Sequence, residues 1–252
     1  MPLHDWSRVS DTAFHHFHVF WLTHLSDVLT KELLPRGYYA LVEPVAGEAV
    51  PDVLTLQASH GARGPSGQLP SLVRDDTAEG AVTLLSPAAV VQDLDPDYSQ
   101  LARHILVRSE VEGDRVVAAV DLVSRGNKRS RTKATQFVDK TIGYLREGVH
   151  LVVLDPHAPS NIVPQGFHAL VCESLGHEPP RSPPGRDRQI ASYQIRDSGH
   201  PRALVEHLSV GDALPDIPLF LAPRYYVRLP LERTYEEAFG SVPERFRAVL
   251  TT

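Results

Sequence analysis

The sequence predicts an α/β fold in which a mixed central sheet is flanked by helices. Three observations carry that expectation. A long amphipathic pattern opens the chain, two strand-like runs at 101–111 and 115–123 are joined by turn residues, and a helical stretch at 132–147 leads straight into the apolar run Val149–Leu154. A helix between two strands of one sheet is the crossover that parallel pairing requires.

The first helix is read from Phe14, Phe17, Phe20, Trp21, Leu25, Val28, Leu29 and Leu33, whose three-and-four spacing makes one broad apolar face. Asp11 or Thr12 is placed to cap it, and Pro35 with Gly37 stops it near Leu34. Tyr38–Val45 follows as a strand, Gly47 and Glu48 as a turn, and Pro51–Gln57 as a second strand whose opening proline suits a strand start. Residues 58–80 are rich in Gly, Pro and Ser and predict a long inserted loop. The strands at 101–111 and 115–123 meet across Glu112-Gly113-Asp114, a composition that favours an antiparallel hairpin.

Ser124–Lys133 is a basic connection holding Arg125, Lys128, Arg129, Arg131 and Lys133. The next helix, Thr132–Glu147, sets Phe137, Thr141, Tyr144 and Leu145 on one face, and Gly148 closes it. Val149–Leu154 lacks polar alternation, the pattern of a strand buried on both faces, and stops at Asp155-Pro156. Beyond it come a short helix at Phe167–Leu175, a Pro/Arg loop at Glu178–Arg188, and strands at Ala191–Ile195 and Leu204–Val210. A proline-punctuated tail, Leu214–Leu229, is expected to wrap the core in extended form before helices near Tyr235–Phe239 and Pro243–Leu250. The chain thus divides into a core at 1–156 carrying the 58–80 insertion and an extension at 157–252 packed on it as one unit.

A formal net charge of −6 argues against a uniformly basic nucleic-acid-binding domain, so any polyanion contact must be local. One cysteine, Cys172, rules out an intramolecular disulfide and a cysteine zinc cage, and suits a reducing compartment. The N-terminus lacks a basic-then-apolar leader, and no run approaches the roughly 18 apolar residues of a membrane span. The expectation is a soluble, cytoplasmic protein without a membrane partner. No Gly-x-Ser-x-Gly elbow, Walker loop, dinucleotide-binding glycine pattern or His-Glu-x-x-His motif is present. His15 and His18 share a helix face and are read as packing residues, as are Trp6 and Trp21.

The chemistry concentrates on carboxylates at strand ends. Asp52 sits in Pro51-Asp52-Val53, and Asp121 lies near the end of Val116–Ser124. Two acidic groups from neighbouring strands offer oxygen ligands to a hard cation such as Mg2+. Lys128, seven residues after Asp121, and Lys133 and Lys140 on the following helix bring ammonium groups suited to a phosphate or a nucleophilic water. Metal-dependent phosphodiester chemistry, on DNA or another phosphodiester, is the function this predicts.

Taken together, Phe14-His15-His16, Leu34-Pro35-Arg36-Gly37-Tyr38, Glu43, Pro51-Asp52-Val53, Asp121-Leu122-Val123-Ser124 with Asn127-Lys128, Lys140 and Gly148-Val149-His150-Leu151 resemble a bacterial domain-of-unknown-function family, number 4058. That family is distantly similar to the Uma-type proteins of the PD-(D/E)xK restriction-endonuclease-like superfamily. The likeness covers most of the chain, including the tail from Leu214-Pro215 to Phe220. It implies a restriction-endonuclease-like core with a C-terminal extension, and Mg2+ or Mn2+ held by Asp52, Asp121 and Glu43. Asp52 would be the aspartate of the PD half-motif, and Asp121 the second acidic residue, more often Glu in the family. The motif lysine two residues further on falls at Val123, so Lys128 or Lys140 would replace it, as migrated lysines do in this superfamily. A catalytically inactive scaffold or binding protein of the same fold is the alternative this departure leaves.

Overall fold

Local sequence decides where the opening helix begins. In a computed structural model that describes residues 3–44 and 103–252, the Ser10 side chain accepts a hydrogen bond from Ala13 N–H and starts helix α1 (Asp11–Val28). A short hydroxyl at that position satisfies one of the orphan amides of a helix N-terminus, so the cap falls one residue before Asp11. The last turn widens into a π-helical segment, Leu29–Leu33, and Gly37, with φ +84°, turns the chain into strand β1 (Tyr38–Pro44). The predicted strand 51–57, with Asp52, and the 58–80 loop lie outside the described residues.

β1 pairs antiparallel with β2 (Arg103–Ser109), and β2 with β3 (Arg115–Leu122). The turn between β2 and β3 uses Gly113 and Asp114, both at positive φ. A short 3-10 turn, Arg125–Lys128, leads into helix α2 (Arg131–Arg146), which Ser130 caps through Lys133 N–H. α2 carries the chain to β4 (His150–Asp155), which lies parallel to β3, as the crossover demands.

After helix α3 (Phe167–Ser174), β5 (Arg188–Ile195) pairs antiparallel with β4, and β6 (Pro201–Leu208) with β5. The six strands form one mixed sheet in chain order. The division expected at 156 therefore falls between two adjacent strands of a single sheet, and the described residues belong to one compact unit, Met1–Ala46 with Asp97–Thr252.

The tail differs from its expected extended wrap. Pro223-Arg224 reverses it into a hairpin of β7 (Ile217–Ala222) and β8 (Tyr225–Leu229). Pro218 is tolerated because, among the described residues, β7 hydrogen-bonds to one neighbouring strand. Helices α4 (Leu231–Gly240) and α5 (Glu244–Thr251) close the chain. Among the described residues no helix is long and apolar enough to cross a membrane.

Alternation along the strands splits the core in two. Ile105, Val107, Ala118, Val120, Val152 and Leu154 face α1, α4 and the hairpin, whereas Leu106, Ala119, Leu151 and Val153 face α2 and α3. The first layer is centred on Trp6, Phe17, Trp21 and Tyr235, all fully buried. Tyr235 Oη accepts from His4 N–H and Trp6 Nε1–H, each at 3.1 Å, which uses its acceptor capacity. Its own proton therefore goes to His4 Nδ1, 2.8 Å away, and fixes that imidazole neutral. His150 is fixed neutral in the same way, because its Nδ1 accepts Ile195 N–H at 3.0 Å.

Tyr235→Phe strands two buried donors and is expected to destabilise the fold by about 2–4 kcal/mol in urea unfolding. Burial lowers His4, His18 and His150 from the usual 6.5 to about 4. Because the folded values are depressed, their contribution is complete above pH 6.5 and is lost as pH falls towards 4. Calorimetry from pH 7 downwards should show the unfolding temperature dropping through that window, at a cost of about 1 kcal/mol or more per histidine by pH 5.

Candidate functional site

Strand alternation puts Asp121 on the α2 side of the sheet, one residue before the end of β3. Pairing register then places three polar side chains in one row. Glu43 of β1 stands opposite His104 of β2, and His104 opposite Asp121 of β3. With neighbouring strands about 4.8 Å apart, the row is about 10 Å long.

Helix α2 lays Lys140 over this row. Its Nζ donates to Asp121 Oδ1 at 2.9 Å and stands 2.7 Å from Oδ2. Asp121 is 2% exposed and Lys140 21%, so the pair has a dry end and a wet end. The Phe137 ring, 4.9 Å from Nζ, backs the ammonium.

Three residues that sequence reasoning did not select complete the surroundings. Burial lowers the His104 pKa, against the pull of Asp121, and raises that of Tyr144. The phenol keeps its proton, and its oxygen lies 3.3 Å from His104 Nδ1, within hydrogen-bonding reach. His18, reaching over from α1, sets Nε2 3.4 Å from Arg103 O and is held near neutral form by burial, within the field of Asp121 and Lys140. The signal for His104 is its cross-strand position opposite Asp121, which pairing reveals and a linear pattern does not.

Lys128 does not join them. Asn127 Oδ1 accepts from both the N–H and the hydroxyl of Ser124 at 2.8 Å, tightening the 3-10 turn. The turn points Lys128 inward, where Nζ meets Asp155 Oδ1 at 2.8 Å and the carbonyls of His157 and Ala158 at 2.8 and 3.1 Å. All three ammonium protons are spent. Lys128 thus braces the loop after β4, and Asp155 at the end of that strand is its buried partner. Burial pushes the Asp155 carboxyl up while Lys128 pulls it down.

Glu43 leans towards Arg108, its Oε1 3.7 Å from Nη2. Asp52 lies outside the described residues, among which no three His, Cys, Asp or Glu side chains converge as a metal-binding group. Comparison with protein-family models, with curated proteins and with solved structures gives no match. The working core of the site is therefore one buried carboxylate, one part-exposed lysine and a neutral histidine–tyrosine pair.

The two lysines should respond differently to removal. Lys128→Met leaves a buried carboxylate without its cation and is expected to cost about 3–5 kcal/mol in urea unfolding. Lys128→Met combined with Asp155→Leu should recover most of that loss, since no uncompensated charge remains.

Proposed function

We propose that this chain is a nuclease-like, Mg2+-dependent phosphodiesterase with a restriction-endonuclease-like core, acting on DNA or another phosphodiester in the cytoplasm. The observation that carries the reading is the contact between Asp121 and Lys140. It brings a lysine from helix α2 to a strand-end carboxylate although Val123 occupies the strand position of the motif lysine.

Asp121 would hold the cation, with Asp52 and Glu43 as further carboxylates. Both of its oxygens lie against the Lys140 ammonium, at 2.9 and 2.7 Å, so a cation would take the place that ammonium holds. Mg2+ asks for one or two protein carboxylates, since waters and substrate phosphate fill its remaining positions. When bound, Mg2+ or Mn2+ polarises a phosphoryl oxygen and acidifies a coordinated water. Lys140 masks the charge of Asp121 at rest, and its exposed side allows the ammonium to turn towards a phosphoryl oxygen, where it stabilises charge developing in the transition state. With Nδ1 of His104 engaged by Tyr144, its Nε2 remains as a further polar group at the same end of the sheet.

A second reading, an inactive scaffold or binding protein of the same fold, is favoured by the fact that Lys140 already balances Asp121 and that Lys128 is spent on Asp155. Cleavage separates the two. Wild-type protein with Mg2+ or Mn2+ is expected to nick plasmid and cut single-stranded DNA, with chelation abolishing both. Asp121→Asn and Lys140→Met should each slow cleavage by about a hundredfold or more. A folded wild-type protein that cleaves nothing, or an Asn variant as active as wild type, would leave the scaffold reading standing.

A further inference from the structure

We infer that strand β6 is a self-complementary edge by which two copies of this chain join antiparallel about a two-fold axis at Leu204. β6 ends the six-stranded sheet, and its outer side bonds to no other strand among the described residues.

The pairing of β6 with β5 decides which of its backbone groups face outward. Arg196 N–H donates to His200 O at 3.1 Å, which makes that cross-strand pair a hydrogen-bonded one. Hydrogen-bonded and open pairs alternate along an antiparallel ladder. By the register Ser192↔Leu204, the even residues Arg202, Leu204 and Glu206 therefore bond to β5, and the odd residues Pro201, Ala203, Val205 and His207 turn their N–H and C=O groups outward. The His207 carbonyl accepts from the side chain of Arg186 at 3.0 Å, as a carbonyl turned away from β5 is able to do.

Two antiparallel copies can meet in few registers. Centring the pair on Leu204 sets Ala203 against the second copy's Val205, two hydrogen-bonded pairs related by the symmetry axis. Pro201, which has no N–H, then faces the His207 carbonyl that Arg186 already satisfies, while His207 N–H meets the Pro201 carbonyl. No donor or acceptor along the seam is left over.

The same register brings Arg202 opposite Glu206 twice, flanking Leu204 against Leu204. Both charged residues are exposed, and neither has an ion-pair partner among the described residues. These even pairs are the open kind, whose side chains approach most closely. Moving the centre to Arg202 or Glu206 opposes like charges, moving it to Ala203 sets the Val205 carbonyl against Pro201, which has no N–H, and moving it to Val205 directs Ala203 N–H at the carbonyl Arg186 occupies. Charge and hydrogen-bond pattern thus select one register. The competing use of such charges is to blunt an edge against pairing, and oligomeric state distinguishes the two.

Sedimentation of the full chain at micromolar concentrations is expected to show a dimer. Arg202→Glu and Glu206→Arg should each weaken it by about tenfold or more, because like charges then face each other. The double reversal, Arg202→Glu with Glu206→Arg, should restore it. Circular dichroism checks that each variant keeps the fold. A monomeric wild type, a single reversal that dimerises like wild type, or a folded double reversal that stays monomeric would each overturn the assignment.

Discussion

Two carboxylates at the ends of adjacent parallel strands must each find a cation, because neither can stay ionised in the interior alone. Asp121 stands one residue before the end of β3 and Asp155 ends β4, and both are nearly inaccessible to water. The β3–α2–β4 crossover supplies both partners. Its 3-10 turn delivers Lys128 to Asp155, and its helix delivers Lys140 to Asp121. The connection that makes the strands parallel also neutralises their ends.

The two ion pairs are not equivalent. Lys128 is as buried as Asp155 and spends its remaining protons on two loop carbonyls, which fixes the chain where it leaves the sheet. Lys140 contacts both oxygens of Asp121, at 2.9 and 2.7 Å, and keeps a face to solvent. A saturated buried pair specifies structure, whereas a pair at a solvent boundary can exchange partners with an arriving anion or cation. That difference, more than the presence of a lysine near an aspartate, separates the bracing pair from the reactive one. The neutral His104–Tyr144 pair beside Asp121 adds directional hydrogen bonding without adding charge.

Periodicity made most elements legible. The broad face of α1, the hairpin around Gly113-Asp114 and the unbroken apolar run of β4 each carry a local signal strong enough to survive folding. The start of α1 shifted to Ser10 because capping is decided by which side chain reaches an amide, not by where apolar spacing begins. The tail misled because its prolines suggested an extended wrap, while Pro223-Arg224 sits where a two-residue hairpin loop fits. Of the site, the place of Asp121 near a strand end was readable in the sequence, whereas spacing left Lys128 and Lys140 as equal candidates to stand beside it. The inward turn of Lys128 was not readable, for it depends on the Ser124–Asn127 hydrogen bonds and on a carboxylate 27 residues away in sequence, Asp155. His104 was invisible for a similar reason, its role arising from register with Glu43 and Asp121.

Manganese is the most direct probe of the contact between Asp121 and Lys140. Anomalous scattering from crystals soaked with Mn2+ and a non-hydrolysable phosphodiester should place the ion about 2.1 Å from an Asp121 carboxylate oxygen, with the Lys140 ammonium moved onto a phosphate oxygen. Crystals in which no ion lies at Asp121, and Lys140 still spans both of its oxygens, would contradict the account.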